Sequence, residues 1–270
     1  MNIKLMFGMT TILGWIFFSF VSVANAVVIE KAPKKPDRVL IPAGSFTMGS
    51  TEADIQWVAA KFFSESLEWY RDETPAHKVH LDAYYIDKYE VTNEEYMKFR
   101  EAVKGREPKF SDDPHFNKPN HPVVGVSWQE ASDYCRWAKG RLPTEAEWEK
   151  AARGTDARYY PWGNEADPTL GNVRGLEDEN RHTAPVGDYE AGKSPFGVHD
   201  LAGNVWEWTL DWYQPYEGNH QKNDMYGELL KVIKGGSWQS NMDLARSAIR
   251  GKAIPRQPQN YIGFRCVSDP

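Results

Sequence analysis

Three indoles at even spacing, Trp206, Trp208 and Trp212, constrain the fold of this chain more than any other feature. In an extended backbone, residues two apart point to the same face. Each indole removes roughly 200 Å² from water when buried, so the segment Leu201 to Trp212 is the densest source of core in the sequence. Among the indoles stand Asn204 and Glu207, preceded by Gly203, which permits a tight backbone turn. A carboxamide, a carboxylate and freed backbone carbonyls are the oxygen donors that a hard cation such as Ca²⁺ takes. An ordinary aromatic core strand with a solvated glutamate accounts for this segment equally well.

Residues 1–26 read as an export signal. Lys4 supplies the basic start, Leu5 to Val23 is largely apolar, and Ala24-Asn25-Ala26 is a small-x-small cleavage site. The apolar run is nearly long enough to span a bilayer, so an uncleaved anchor is the alternative. The cleavage triplet favours removal, leaving a mature chain that starts near Val27, is periplasmic or secreted, and has no membrane partner. A net charge of −6 with scattered Lys and Arg leaves no basic stripe for nucleic acid. With 21 Gly and 17 Pro, the chain is expected to be rich in loops and low in regular secondary structure. Its two cysteines, Cys135 and Cys266, form an even count after an export signal, which reads as one disulfide. The alternative is a thiol pair on a soft metal such as Cu(I).

In chain order, residues 27–38 form an extended leader with Lys31, Lys34 and Lys35, and residues 39–270 form one domain. Ser50 to Ser66 reads as a helix with Ile55, Ala59 and Phe62 on one face. His77 to Leu81 and Ala83 to Tyr89 read as strands joined at Asp82 in a hairpin or meander. Thr92 with Glu95, Ser127 with Glu130, and Thr144 with Glu147 are three capping boxes, each opening a helix. From Gly154 to Asp200 periodicity fades into turn-rich segments, a length uncommon in a compact domain unless something orders it. Bound cations would do so, with Asn172 and Asn204 as candidates for two separate sites. The seven histidines form no cluster in the sequence; His77 and His80, three apart in a strand, point to opposite faces.

The ordered segments resemble the formylglycine-generating enzyme (sulfatase-modifying factor) family. The resemblance is carried by Ile41-Pro42-Ala43-Gly44-Ser45-Phe46-Thr47-Met48-Gly49, Glu90-Val91-Thr92-Asn93, and Pro122-Val123-Val124-Gly125-Val126-Ser127-Trp128. It continues through Gly140-Arg141-Leu142-Pro143-Thr144-Glu145, Pro161-Trp162-Gly163, and Gly203-Asn204-Val205-Trp206-Glu207-Trp208. Lys234-Gly235-Gly236-Ser237-Trp238 and Gly263-Phe264-Arg265-Cys266 complete it. The resemblance implies an α+β fold related to C-type lectins and held by structural calcium. One calcium site would match Asn204, the Val205 carbonyl and Glu207. The other would match Asn172 and the Val173 carbonyl, with further oxygens from around Asp188 and Tyr189. It also implies a disulfide between Cys135 and Cys266, in agreement with the even cysteine count.

The chain departs from the family at one place. Members that oxidise a substrate cysteine to formylglycine carry two cysteines shortly after Lys-Gly-Gly-Ser, and those thiolates bind Cu(I). Here Ser240 stands at the first of these positions and no cysteine stands near Ala245. A hydroxyl does not replace a thiolate on a soft ion, so copper-dependent cysteine oxidation is disfavoured. In layout the chain is similar to stand-alone exported members, including a periplasmic protein of pyoverdine maturation and proteins accompanying nitrite reductases. The expectation is an exported maturation or modification factor whose peptide, cofactor or small-molecule substrate sits in a groove lined by Ser237, Trp238, Ser240, Arg246 and Arg250. Arg246 and Arg250 would clamp carboxylates; alternatively, they pair with acidic neighbours of their own chain. The competing function is a non-catalytic binding module on a lectin-like scaffold, since fold does not fix function. A formylglycine-generating oxidase is the third reading.

Overall fold

Short elements separated by long connections follow from the glycine and proline content, and each helix starts where the sequence supplies a cap. The structure, a computed structural model, describes residues 37–64, 66–175 and 180–270. The stretch read as an export signal and nearly all of the extended leader lie outside the described residues. In order, the elements are β1 (Arg38–Ile41), β2 (Gly44–Met48), α1 (Glu52–Lys61), β3 (His77–Leu81), β4 (Tyr84–Asp87), α2 (Asn93–Val103) and α3 (Trp128–Trp137). There follow α4 (Glu145–Arg153), β5 (Trp206–Trp212), β6 (Lys231–Lys234), β7 (Gly251–Ala253), β8 (Ile262–Gly263) and β9 (Val267–Ser268). The result is an α+β fold with sparse regular structure. Between α4 and β5, only the short 3₁₀ turns Pro168–Leu170 and Glu190–Gly192 are regular among the described residues. No helix among the described residues is long and apolar enough to cross a membrane.

The three capping boxes close: the Thr92, Ser127 and Thr144 hydroxyls accept from the amides three residues on, and Glu95, Glu130 and Glu147 accept from the cap amides. A fourth box, Thr51 with Asp54, opens α1. That helix is shorter than the sequence pattern predicts, and Phe63, just past its end, adopts a left-handed φ of 52°. Ile55 and Val58 form its buried face, with Ala59 and Phe62 half-buried.

Among the described residues the strands form three sheets, ordered β1-β4-β9, β2-β3 and β7-β6-β5-β8. The hairpin or meander expected around Asp82 does not form, since β3 and β4 lie in different sheets. β3 pairs with β2, placing Val79 opposite Phe46, whereas β4 pairs with β1 and β9, placing Ile86 opposite Val39 and Val267. Asp82-Ala83 lacks the Asn-Gly or Gly-X chemistry that a two-residue hairpin turn needs, so the chain crosses between sheets there. His80 is exposed on β3, while His77 is half-buried with its ring 4.8 Å from that of Tyr216.

On β5, Trp206 and Trp208 share one core with Ile233, Ile262, Phe264 and the inner faces of α2 and α3. Glu207, on the alternate face, meets Trp148 of a second core. The register shifts between Trp208 and Trp212, so the third indole leaves this core and lies half-buried beneath the Lys231 ammonium, 3.8 Å from its ring centre. Helix α4 is polar yet buried along nearly its whole length. It is stable there because its cations serve as donors to loops. Lys150 Nζ donates to the carbonyls of Pro42 and Gly44, and Arg153 donates to those of Gly49 and Ala157. Side-chain cations thus order part of the irregular backbone.

Candidate functional site

β6 ends at Lys234, and Gly235 and Gly236 follow with left-handed φ of 98° and 76°. A Cβ at Gly236 would stand 2.7 Å from the Leu244 carbonyl oxygen, so glycine alone lets the next turn fold against residues 242–245. That turn buries Ser237 and Ser240. The Ser237 amide donates to Ser240 Oγ at 3.0 Å, and the two hydroxyl oxygens are 3.3 Å apart. Trp238 is half-buried; its amide donates to the Asn204 carbonyl at 2.9 Å and its indole N–H donates to that of Asn260 at 3.4 Å.

Arg246 and Arg250 do not face an open groove. Arg246 donates to both carboxylate oxygens of Glu73, at 2.9 and 2.6 Å, and is 1% exposed. Arg250 donates to both oxygens of Glu145, at 2.7 and 3.0 Å, and stacks 4.1 Å from the centre of the Tyr216 ring. Burial works to raise the Glu145 carboxyl, but Arg250 and Lys234 hold it below the usual carboxylate range. Both guanidinium forks therefore grip carboxylates of the same chain, as in the alternative reading of the two arginines.

Behind this turn lies a buried polar cluster. Asn172 donates through Nδ2 to the His182 carbonyl at 2.7 Å and to Asn204 Oδ1 at 3.2 Å; its own Oδ1 is buried with no hydrogen-bond partner. Asn204 Oδ1 also accepts from the Ala184 amide, and Asn204 Nδ2 reaches Glu90 Oε2 at 3.4 Å. The two asparagines expected at separate calcium sites therefore share one wall. Gly203, at φ 91°, makes this possible, since a Cβ there would lie 2.2 Å from the Asn172 carbonyl oxygen. Val173 and Val205 are buried in apolar clusters. Asp188 is exposed, and the Tyr189 carbonyl accepts from the Gly192 amide.

Glu207, expected in the calcium set, is engaged by side chains of its own chain. Its carboxylate is wholly buried and accepts from Arg265 Nε at 2.7 Å, Arg265 Nη2 at 2.8 Å and Trp148 Nε1 at 2.9 Å. A cation there would have to displace a bidentate guanidinium. Two carboxyls that the sequence reading missed lie nearby. Asp200 accepts from the Gly187 amide at 2.7 Å, and burial pushes its carboxyl up to about 6. Burial, then the neighbouring Asp200, raises Glu90 well above the ordinary range, and Glu90 Oε1 has no partner. Glu90 opens one of the family-matching segments but nothing in its local sequence gives it a partner; the two carboxyls meet only because separate loops converge. Among the described residues, no three His, Cys, Asp or Glu side chains converge as metal ligands.

The half-exposed side of Trp238 carries a ring cluster. Phe116 and His182 lie 6.0 and 5.0 Å from the indole, and His115 lies 4.4 Å from His182. Two of the seven histidines, distant in sequence, thus do come together. Cys135 of α3 and Cys266, just before β9, form a disulfide, and the described residues contain no free cysteine. With both cysteines of the chain in that bond and Ser240 at the thiol position, the chain lacks the copper–cysteine centre.

Comparison with known proteins agrees with this architecture. The family profile of the sulfatase-modifying factor enzyme 1-like domain matches residues 25–270. Formylglycine-generating enzyme of Bos taurus is 31% identical over 299 residues, covering 88% of this chain and 76% of that protein. The enzyme of the same name from Streptomyces coelicolor is 32% identical, covering 86% of this chain and 89% of the relative. The structure of PvdO from Pseudomonas aeruginosa superposes with a TM-score of 0.71 at 27% identity, covering 87% of this chain and 95% of that one. The chain belongs to the sulfatase-modifying factor, or formylglycine-generating enzyme, family as a member without the cysteine pair.

Proposed function

We propose that this protein is an exported maturation or modification factor, acting in a periplasmic pathway on a peptide, cofactor or small molecule bound over the Trp238 face. The observation that carries this reading is the buried Ser237–Ser240 hydroxyl pair at the place where formylglycine-forming relatives hold a thiolate. The family scaffold is retained around that position while the soft-metal ligands are gone. What remains for a ligand is the half-exposed Trp238, with His182 and Phe116 beside it. Mass spectrometry of exported molecules from the host, with and without this chain, tests the reading. An unprocessed species should accumulate without the chain and disappear on complementation by the wild type but not by Trp238→Ala. Identical profiles would sink the reading.

Calcium is proposed as a structural ion at Asn172. The orphaned, buried Oδ1 fits a hard cation; the Val173 carbonyl and oxygens from around Gly187 to Tyr189 would complete the set. Glu207 is left out of that set because Arg265 donates to both of its carboxylate oxygens.

A second reading, a binding module without turnover, is favoured by the internal pairing of Arg246 and Arg250, which leaves neither guanidinium open to a substrate. Retention of an unchanged ligand by the purified protein would select it.

A further inference from the structure

We propose that His115 and His182 form a binding site for a divalent transition-metal ion beside Trp238. The two imidazoles come from loops that the fold brings together, with ring centroids 4.4 Å apart and planes inclined by 41°. A ligating imidazole nitrogen sits about 2.0–2.1 Å from the ion, so its ring centre lies about 3 Å away, and two rings on adjacent coordination positions have centres about 4–5 Å apart. The observed separation falls in that interval.

Each ring is held by a different means. The Asp113 carboxylate accepts from His115 Nδ1 at 2.8 Å and from the His115 amide at 2.9 Å. A carboxylate on one imidazole nitrogen fixes the tautomer and leaves the other nitrogen with a free lone pair, the usual support of a metal-bound histidine. His182 is oriented by packing, between Phe116 at 5.3 Å and Trp238 at 5.0 Å. Its carbonyl is anchored by Asn172, and no hydrogen bond among the described residues reaches its ring nitrogens. Lys118 opposes a cation here, and the Asp113 carboxylate offsets it.

Two imidazoles without a third protein ligand leave coordination positions for water or for an exogenous donor, as in an open rather than a closed site. Imidazole nitrogen suits Zn(II), Ni(II) and Cu(II), with Cu(II) bound tightest of these. This ion would be chemically distinct from Cu(I) on thiolates, and the site is independent of whether the Trp238 face serves turnover or binding alone.

Titration of the purified, tag-free protein with Cu(II), read by calorimetry and by electron paramagnetic resonance, tests the proposal. One equivalent is expected, with hyperfine coupling to two nitrogens. His115→Ala and His182→Ala should each remove that signal, and Asp113→Asn should weaken binding by about 10–100-fold. His220→Ala, away from the pair, should leave binding unchanged. Circular dichroism establishes that each variant is folded, and the exposed position of His115 makes its replacement the safest. An unaltered signal in the doubly substituted protein, or no stoichiometric binding by the wild type, overturns the site.

Discussion

Arg265 donates to both carboxylate oxygens of Glu207, at 2.7 and 2.8 Å, and neither side chain has any exposed surface. The same guanidinium reaches the backbone carbonyls of Asp87, Lys88 and His199, so one residue ties β5 to the end of β4 and to the loop that carries His199. Removing one partner of such a buried pair strands the other charge, at a cost of about 3–5 kcal/mol. Arg265→Ala should therefore lower the unfolding free energy by that amount in urea titrations. A loss below about 1 kcal/mol, the range of surface pairs, would show that the pair is not buried in solution.

The Cys135–Cys266 bond closes a loop with a sequence separation of 131 residues. On the chain-entropy account a loop of this size is worth about 4–5 kcal/mol. Replacing both cysteines by alanine should shift the denaturation midpoint correspondingly, and adding reductant to the wild type should reproduce the shift. Equal stability with and without the bond would contradict this prediction.

Asp87 gives stability a pH dependence. Burial pushes its carboxyl up to about 6, against the opposing pull of Arg38 and the Cys266 amide. From about pH 4 to 6 the folded state retains a proton that the unfolded chain has released, so this group's contribution falls as pH rises through that window. The loss is about 3 kcal/mol by pH 7. Unfolding free energies of wild type and Asp87→Asn, compared across this window, should diverge with that sign. A flat difference curve would rule out the raised carboxyl.

If calcium binds at Asn172, a hundredfold excess of Ca²⁺ over its Kd should stabilise the fold by about 2.7 kcal/mol. Chelation should lower Tm, and Asn172→Ala should abolish the increment. Identical melting curves in calcium and chelator would remove the ion from the structure.

Incubation with copper, O₂ and a sulfatase-motif peptide should give no formylglycine by mass spectrometry, because both cysteines of the chain lie in the disulfide. An aldehyde product would mean that thiolates are not needed.

Local signals transferred well from sequence to structure. All three expected capping boxes close, because a cap and its glutamate lie within one helical turn and need no distant partner. Trp206 and Trp208 share a core for a similar reason, since strand alternation places both on one face. Trp212 escaped that rule at a register shift, which depends on how β5 pairs with β6. The hairpin at Asp82 failed likewise, because strand pairing is decided by partners outside the segment.

Charge partners were the least legible. Local spacing left open whether Arg246 and Arg250 clamp a ligand or pair within the chain, and whether Glu207 binds calcium or faces solvent; each is saturated by a residue far away in the chain: Glu73, Glu145 and Arg265. Conversely, His115 and His182 gave no sequence signal and meet only through the fold. The sequence by itself determined the family, the helix starts, the aromatic core and the missing thiolate, all written in residue identity and short spacing. The tertiary structure alone decided which polar groups are spent inside and which face outward, because burial and electrostatic pairing depend on distances that no local pattern encodes.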